Sequence, residues 1–498
     1  MGSRIVPPAP MRGSNGVAFG PDGRLYVAQF LSGLISAVDL ASGETEVVVG
    51  PGSPVRSPDD LAFGADGSMY VTDLVPGRVW RRAPDGRYTL VSDDVALPNG
   101  IACAGNRLFV NEMRMGGRVL ELFPGGGEPV VLADGLAMGN AMQLGPDGFL
   151  YYPHMATGEV FRVSPDGVPP ELVASGVHEP VAVRFDRGGT LLVLSRGAAG
   201  IVTRIGADRR SIVETGIAGL DNAAFDDDNR MFVSSFAGGG IAEVHPDGRT
   251  RQIVPPGLAG PFGVAVDSGG TVFTGDHYRV TSVAATGVTM RELLVFSHGI
   301  VADGSLLHVT SQYGDVRTYD PALRTARTRA AGLAQPMGLA AADGMLVVAE
   351  SAAGRVVAID ADDELSVLAE GLARPVDVAT AGGVWYASDE TRGTVVRLPD
   401  AVPVAEGLDA PQGIAVRDQE LFVVEAGARR LTAVGLGTGE TRVAVADLAV
   451  LPPAGEPLFA HGMPGLPGRF AGVAVAPDGA LYVAANGEGT VVRVPPGG

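Results

Sequence analysis

The stretch SNGVAFGPDGRLYVAQF at residues 14–30 decides the fold, because the chain repeats its pattern about every 40 residues. Similar stretches are PDDLAFGADGSMYVTDL at 58–74, PNGIACAGNRLFVNEM at 98–113 and GNAMQLGPDGFLYYPHM at 139–155. Eight further copies begin at residues 180, 220, 261, 297, 336, 375, 411 and 470, which makes twelve units. A period of this length is typical of repeat architectures, in which each unit must pack against its neighbours.

Each unit has the pattern of four short antiparallel strands. An alternating apolar stretch meets a D-G or G-G turn, which supplies the positive φ of a tight hairpin. A second strand of the LYV type follows, then a third strand, a further turn and a fourth strand. Four-stranded units at this spacing indicate propeller blades, and twelve exceed the usual number in one ring. The sequence therefore predicts an all-β protein of two tandem six-bladed β-propellers, at residues 1–247 and 248–498.

The two ends of the chain suggest how the rings close. The last unit ends on its third strand, TVVRV, while SRIVPP at residues 3–8 has no unit in front of it. A near copy, RQIVPP, stands at residues 251–256. We expect SRIVPP to close the first ring beside GIAEV, and RQIVPP to close the second ring beside TVVRV. Each ring would then begin with its own outer strand, which covers an exposed sheet edge.

Charge and composition exclude several classes of function. The net charge of -19 disfavours nucleic acid and anionic membranes as partners, because both attract basic surfaces. All 37 cationic residues are arginine, so no lysine is present to form a Schiff base. The single cysteine, Cys103, excludes an internal disulfide. No apolar signal core and no long apolar run occurs, so we expect a soluble cytoplasmic protein. We expect a small-molecule substrate, and a protein partner is also possible.

In a propeller, the start of the first strand and the end of the second strand of each blade lie at the same rim. Two residues per blade can therefore face a bound molecule. At the first position, the first ring has Asn15, Asp59, Asn99, Asn140, Val181 and Asp221. The second ring has Phe262, His298, Met337, Val376, Gln412 and Ala471. The two mouths thus differ in chemistry.

Five of the six first-position residues of the first ring carry oxygen atoms in their side chains. Carboxylate and amide oxygens that converge at one point are the ligands of a hard cation such as calcium. The alternative is that Asn and Asp merely start strands after turns, where they are favoured. Five such residues at one aligned position favour a site.

The units LPNGIAC and LDNAAF, at six-bladed spacing, resemble the SMP-30/gluconolactonase superfamily, and the repeats are also NHL-like. Hydrolytic members of that superfamily hold a calcium ion in the channel, and the resemblance implies Ca2+ or another divalent cation such as Mg2+ here. By position, Asn99 and Asn140 match the asparagine ligands and Asp221 matches the aspartate, with Asn222 as a further donor. The first-blade glutamate of the family is absent, and Asn15 stands there with Asp59 as its substitute.

Two residues at the second rim position, Glu112 and His154, are candidates for proton transfer. His154 is the predicted base beside a cation-bound group, and Glu112 orients it or shares the proton. The alternative is that both end a strand and hydrogen-bond a loop. Methionines on the same two blades predict an adaptable apolar substrate pocket, or else fill gaps in the core. The candidates are Met113, Met142 and Met155.

The mouth of the second ring offers a different chemistry. SHGIVADG at residues 297–304 is similar to the His-Gly-Ile strand starts of streptogramin-lyase-like propellers, where a rim histidine acts as a base. The resemblance implies a catalytic role for His298. Gln412 at the mouth and Tyr278 at the rim are candidate substrate contacts. Ser311 replaces the acidic metal ligand that such proteins carry one strand later. A long loop before the last unit adds His461, either as part of a lid or as an ordinary loop.

Three functions stay open from the sequence. The first is a metal-dependent, lactonase-like enzyme that acts on a small neutral or hydrophobic molecule by lactone or ester hydrolysis, or by a lyase or cyclase step. The second is a non-catalytic binding scaffold. The third places streptogramin-lyase-like chemistry in the second ring around His298.

Overall fold

The computed structural model describes residues 2–206, 209–293, 295–453 and 469–497. In these ranges the chain forms 48 β-strands and one 3-10 turn, Ser351–Ala353, with no α-helix. The strands form twelve antiparallel sheets of four strands each. The prediction of an all-β chain built from four-stranded units is therefore confirmed. None of the described helical segments is long and apolar enough to cross a membrane.

Contacts divide the described chain into two units. Unit A comprises residues 10–257, and unit B comprises residues 2–9, 258–453 and 469–497. We number the sheets 1 to 12 in the order of their first strands and give the strands of each sheet from the first to the fourth.

Unit A contains sheets 1 to 6. Their strands are Val17–Phe19, Leu25–Gln29, Leu34–Val38 and Thr45–Val49; Pro58–Phe63, Met69–Asp73, Arg78–Arg82 and Tyr88–Ser92; Pro98–Ala104, Arg107–Glu112, Met115–Leu122 and Val130–Ala137; Gln143–Leu144, Leu150–His154, Glu159–Val163 and Glu171–Ala174; Pro180–Phe185, Leu191–Ser195, Ile201–Ile205 and Arg210–Glu214; and Leu220–Phe225, Met231–Ser235, Ile241–Val244 and Thr250–Val254.

Unit B contains sheets 7 to 12. Their strands are Pro261–Val266, Val272–Asp276, Arg279–Ala284 and Gly287–Leu293; Ser297–Asp303, Leu306–Ser311, Val316–Asp320 and Thr325–Ala330; Pro336–Ala342, Met345–Glu350, Arg355–Ile359 and Leu365–Ala369; Pro375–Ala381, Val384–Asp389, Thr394–Arg397 and Val402–Ala405; Pro411–Arg417, Glu420–Glu425, Arg430–Gly435 and Thr441–Val445; and Val473–Val475, Leu481–Ala485, Thr490–Val494 and Ser3–Arg4.

Burial changes from the first two strands of a sheet to its outer strand. The second strands Leu25–Gln29 and Met69–Asp73 are buried along their whole length, because both of their faces pack against other sheets. The fourth strand Thr45–Val49 is mostly exposed. The apolar core therefore lies between neighbouring sheets, which explains why a single four-stranded sheet cannot fold alone.

Within each unit, the first strand of each sheet contacts the first strands of the sheets before and after it, and the last sheet contacts the first. In unit A, the Gly16 N–H donates to the Asp59 carbonyl at 2.7 Å, and the Ser234 hydroxyl of sheet 6 donates to the Asn15 carbonyl before sheet 1. In unit B, the Gly472 N–H donates to the Phe262 carbonyl at 2.8 Å and joins sheets 12 and 7. Each unit also has a cavity lined by residues from all six of its sheets, of about 620 Å³ in unit A and about 230 Å³ in unit B.

The predicted exchange of closing strands is wrong. Ser3 pairs with Arg493 and Arg4 with Val492, so the N-terminal strand completes sheet 12. The strand Thr250–Val254 stays in sheet 6 beside Ile241–Val244. The units accordingly divide after Gly257 and not after residue 247, and residues 2–9 belong to unit B.

Chain connectivity explains this outcome. The HPDG turn at residues 245–248 joins the third and fourth strands of sheet 6, and Gly248 takes the positive φ of 89° that the turn requires. A short hairpin costs little loop-closure entropy, so Thr250–Val254 pairs locally. The edge of sheet 12 is left for the N-terminal segment. Arg4 fixes it there with two hydrogen bonds of 2.7 and 2.9 Å to the Glu488 carboxylate.

Candidate functional site

The first-position residues of unit A form a polar cluster, which we call the hub: Asn15, Asp59, Asn99, Asn140, Val181 and Asp221. All are buried except Asp221, which as a whole residue is partly exposed although its carboxyl group is surrounded by protein. Each precedes or begins the first strand of its sheet, and the closed order of these strands brings the six residues to one place. The pattern of the repeat therefore located the hub residues.

Several hub oxygens have no hydrogen-bond partner. The Oδ1 atoms of Asn15 and Asn99 are buried and unpartnered, and so is the Oδ2 atom of Asp60, the residue after Asp59. The Asn15 amide approaches Asp59 Oδ1 at 3.5 Å, and Asn99 also hydrogen-bonds Asp59. A buried acceptor without a donor costs about 1–3 kcal/mol. The hub thus has more acceptors than donors.

Burial also makes the hub carboxylates hard to ionise. Burial, together with the nearby Asp60 charge, raises the pKa of Asp59 to about 8, although the Asn99 hydrogen bond acts in the opposite direction. Burial and the charges of Asp59 and Asp60 raise the pKa of Asp221 well above its ordinary value, against the effect of Arg184. Burial raises the pKa of Asp60 to about 6, and Arg184 limits the rise. Without a bound cation, Asp59 and Asp221 therefore hold protons near neutral pH, whereas Asp60 beside Arg184 is mostly ionised.

The donor set of the hub fits a hard divalent cation. Asp59 and Asp221 provide carboxylates, and Asn15 and Asn99 provide amide oxygens that nothing else uses. Such oxygen ligands suit Ca2+ and Mg2+. Asn140 is partly committed, because its Oδ1 accepts the Ala141 N–H at 2.7 Å. Among the described residues, no group of three or more His, Cys, Asp or Glu is arranged to hold a metal, so the fit depends on the amide oxygens.

Apolar side chains surround the hub. Met113 Sδ lies 3.2 Å from Asn99 Nδ2, and Met155 Sδ lies 3.8 Å from Asn140 Nδ2. Both methionines belong to a buried apolar cluster, and partly buried side chains pack against it: Leu31, Val75, Met138, Ile217 and Phe225. The structure therefore places Met113 and Met155 beside the hub.

Met142 lies elsewhere. It is two residues further along the chain than Asn140 and lines the 620 Å³ cavity, with its carbonyl accepting a hydrogen bond from Arg184 at 3.0 Å. Side chains two positions apart on a strand lie on the same face, one further along the strand than the other. Met142 is thus separated from Met113 and Met155, with which it was predicted to act.

Glu112 has a structural environment. Its carboxylate accepts hydrogen bonds from Arg118 Nη2 at 2.6 Å, from Arg114 and from the Ala96 N–H at 3.1 Å. Burial raises its pKa, but the hydrogen bonds from Arg118 and Ala96 outweigh this effect, and the net shift is downward. Glu112 is therefore an ionised group that holds the loop before sheet 3.

The same contact recurs in other sheets, and it agrees with the alternative interpretation of Glu112 from the sequence, in which the residue ends a strand and hydrogen-bonds a loop. The last residue of the second strand accepts an N–H from the loop before the first strand of its own sheet. Examples are Asp73 with Ser57 at 2.7 Å, Glu350 with Ala334 at 2.8 Å, Asp389 with Ala373 at 2.7 Å and Glu425 with Asp409 at 2.8 Å. The repetition of acidic residues at this position was the available signal.

His154 occupies this position in sheet 4 and has different contacts. Its ring packs on Phe161, with centroids 4.4 Å apart, and Nδ1 lies 3.9 Å from Glu159 Oε2. Its Nε2 is buried and unpartnered. Burial lowers the pKa of His154, and the Glu159 charge opposes this shift. Within the described chain, no hydrogen bond joins the imidazole to Glu112 or to a hub residue.

The mouth of unit B is an apolar cluster with two unpartnered acceptors. Phe262, Met337, Val376 and Phe470 pack together there. His298 Nδ1 lies 3.3 Å from the Pro336 carbonyl, so Nε2 is the acceptor, and it has no partner. Burial lowers the pKa of His298 to about 4.

Gln412 and Tyr278 lie at the same mouth. Gln412 Nε2 donates to Glu390 at 2.8 Å, and its Oε1 is buried and unpartnered. Tyr278 packs edge-on against His277, with ring centroids 4.6 Å apart. His461, from the long loop, lies outside the described residues.

Arg184 is a functional candidate that sequence reasoning missed. Its guanidinium is buried beneath the hub, where Nη2 donates to Asn222 Oδ1 and lies 3.9 Å from Asp60 Oδ2. Asn222 Nδ2 donates to Asp60 Oδ1 at 3.1 Å. The only signal for Arg184 in the sequence is that a charged residue stands inside the apolar strand VAVRF. A charged residue in a strand usually faces solvent, so this signal does not by itself predict burial.

Comparisons with known proteins give structural similarity only. No family model and no curated protein matches the chain. A streptogramin B lyase structure is 15% identical with a TM-score of 0.42, covering 58% of this chain and 97% of that one. Regucalcin from Agrobacterium tumefaciens, a calcium-binding protein, is 20% identical with a TM-score of 0.39, covering 45% and 83%. Virginiamycin B lyase from Staphylococcus aureus is 14% identical with a TM-score of 0.25, covering 60% and 92%. Similarities at this level assign neither a family nor an activity to the chain.

Proposed function

We propose that units A and B are each a six-bladed β-propeller and that unit A is a cation-dependent, lactonase-like enzyme. Its substrate is a small neutral or hydrophobic organic molecule. The observation that carries the proposal is the pair of buried, unpartnered Oδ1 atoms of Asn15 and Asn99 beside the carboxylates of Asp59 and Asp221. Acceptors that converge without donors are expected where a cation binds.

The hub residues have separable tasks in this proposal. Asp59, Asp221, Asn15 and Asn99 would hold the cation, for which Ca2+ is the first candidate and Mg2+ the second. When bound, such a cation polarises a carbonyl group and stabilises developing negative charge on oxygen. The apolar side chains around Met113 and Met155 exclude water and bind the apolar body of the substrate.

Proton transfer is assigned to His154. Its lowered pKa keeps the imidazole neutral at pH 7, and Nε2 is free to accept a proton. Glu112 is assigned a structural role, since Arg118 and the Ala96 N–H occupy its carboxylate. The reaction is hydrolysis of a lactone or ester, or a lyase or cyclase step on a similar carbonyl compound.

Calcium titration and a substrate panel test the proposal together. The chelated full chain is titrated with Ca2+ by calorimetry, and hydrolysis of γ- and δ-lactones and aryl esters is followed with and without Ca2+. Asp221→Asn should lose both cation binding and turnover. Asp227→Asn is the matched control, because this aspartate lies in the turn between the first two strands of the same sheet and its side chain is fully exposed. Loss of turnover in His154→Gln with cation binding intact supports the assigned base.

The outcomes separate the alternatives. Cation binding without turnover of any substrate indicates a binding scaffold. Absence of cation binding in the wild type rejects the proposed enzyme in unit A.

A second candidate function is catalysis in unit B around His298. The unpartnered Nε2 and the pKa of about 4 leave a neutral imidazole that can accept a proton in an apolar mouth. Gln412 Oε1 is a further acceptor for a substrate donor group. Turnover that survives Asp221→Asn and disappears in His298→Ala would assign the chemistry to unit B.

A further inference from the structure

A second polar layer lies directly beneath the hub of unit A. Asp60 and Asn222 follow Asp59 and Asp221 in the chain, and Arg184 reaches the same place from sheet 5. Arg184 is the only arginine of unit A that is buried, as far as the described residues show. A buried cation beneath a cluster of acids needs a physical reason, because desolvation of a charge is expensive.

Arg184 is held by four acceptors besides Asp60. Nε donates to the Ala223 carbonyl at 2.8 Å, and Nη1 donates to the Met142 and Val183 carbonyls at 3.0 and 2.7 Å. Nη2 donates to Asn222 Oδ1. These bonds fix the guanidinium plane, and they leave its positive charge beside the acidic residues.

The charges of the two layers give a simple sum. Asp59, Asp60 and Asp221 carry three negative charges when ionised, and Arg184 carries one positive charge, so two negative charges remain uncompensated. One divalent cation would neutralise this remainder. Without Arg184 the remainder would be three, which matches a trivalent ion better than Ca2+.

We propose that Arg184 is a positioning residue that sets the charge of the hub for a divalent cation. It holds Asp60 and Asn222 beneath the hub and cancels one of the three carboxylate charges. This inference rests on the proposed cation site of unit A, and it adds the residue that determines which ion charge the site prefers.

The test compares Tb3+ with Ca2+ on the chelated full chain, by calorimetry and by competition. We expect Arg184→Met to raise the ratio of Tb3+ to Ca2+ affinity by about tenfold or more, equivalent to about 1.4 kcal/mol. We expect Asp60→Asn, which leaves one uncompensated charge, to weaken Ca2+ binding by about tenfold or more. The double variant Asp60→Asn with Arg184→Met restores two charges and should return the ratio to about the wild-type value.

Arg187→Met is the matched control. Arg187 follows the same first strand, its side chain is 53% exposed, and it pairs with Asp227 at the surface. A purely structural role of Arg184 would change the melting temperature without changing the preference between the two ions. The ion preference is therefore the deciding measurement.

A folding failure of Arg184→Met does not end the test. In the Asp60→Asn background, removal of Arg184 must strengthen Ca2+ binding by about tenfold. Equal Ca2+ affinity of Asp60→Asn and the double variant overturns the inference. A wild type that binds neither ion rejects the proposed site itself. A wild type that binds Ca2+, together with an unchanged ion ratio in the Arg184 variants, rejects only the role of Arg184.

Discussion

Cation binding in unit A is expected to release protons near neutral pH. The pKa of Asp59 is raised to about 8, first by burial and then by the Asp60 charge. A carboxyl group with this pKa is about 90% protonated at pH 7 and about 10% protonated at pH 9. Because the cation binds the ionised carboxylate, Asp59 alone releases about 0.9 proton at pH 7 and about 0.1 at pH 9.

The sign of the pH dependence follows from this count. Raising the pH removes the competing proton, so the Ca2+ affinity increases with pH. The logarithm of the affinity should rise by about 0.9 per pH unit near pH 7 and become nearly constant above pH 9. Asp221, whose pKa is also raised, adds to the release.

Calorimetry in two buffers of different ionisation enthalpy measures the number of protons released. The chelated wild type is titrated with Ca2+ in PIPES and in Tris at pH 7, and again in two buffers near pH 9 that do not bind Ca2+. Asp59→Asn should weaken Ca2+ binding, because it removes a proposed ligand, and should lower the number of protons released per bound ion, while the exposed Asp227→Asn should leave the count unchanged. Stoichiometric Ca2+ binding without proton release at pH 7 would refute the reasoning, because the hub would then be ionised before the cation arrives.

Three further predictions concern stability. In the chelated protein, the stability that protonated Asp59 contributes should be lost as the pH rises from about 4 to 8, because folded Asp59 binds its proton more tightly than the unfolded chain does. The difference in melting temperature between the wild type and Asp59→Asn should change over this pH range, and added Ca2+ should remove the loss in the wild type. Deletion of residues 2–9 removes the fourth strand of sheet 12 and the buried Val6. It should lower the free energy of unfolding of unit B by about 2–4 kcal/mol. An unchanged calorimetric unfolding profile would contradict the pairing. Glu112→Gln should lower the free energy of unfolding by about 2 kcal/mol, and with it the melting temperature, because Glu112 binds Arg118 and the Ala96 N–H. Its Ca2+ affinity should be unchanged. Loss of turnover in the folded variant would return Glu112 to the candidate catalytic residues.

The repeat made the strands and the hub predictable from the sequence. Alternating apolar residues and D-G turns recur at a fixed spacing, so strand positions follow from the local pattern. The same alignment identified Asn15, Asp59, Asn99 and Asp221, which the structure brings together at one end of the first strands. Position within a repeat is a strong constraint, because every copy places its residue at a given aligned position at the same point of its sheet.

The closing strands were not predictable from that pattern. SRIVPP and RQIVPP have equivalent apolar residues, and either fits the edge of a sheet. The choice depends on connectivity, since the short turn at residues 245–248 keeps Thr250–Val254 in its own sheet. Repeat patterns describe what a strand can pair with, and loop-closure entropy selects among equivalent partners.

The partners of individual side chains were also beyond the sequence. Glu112 and His154 occupy equivalent positions, yet Glu112 meets Arg118 and a loop N–H while His154 packs on Phe161. Arg184 resembles an ordinary surface arginine until Asp60 and Asn222 are placed beside it. The Arg184 contacts join residues of three different sheets, and a linear pattern does not encode them.

Anomalous diffraction from a Ca2+-soaked crystal of the full chain, checked with Tb3+, tests the cation site most directly. We expect one strong peak among the side-chain oxygens of Asn15, Asp59, Asn99 and Asp221. A map with no peak there at saturating Ca2+, or with these side chains hydrogen-bonded to protein donors instead, would contradict the proposed function of unit A.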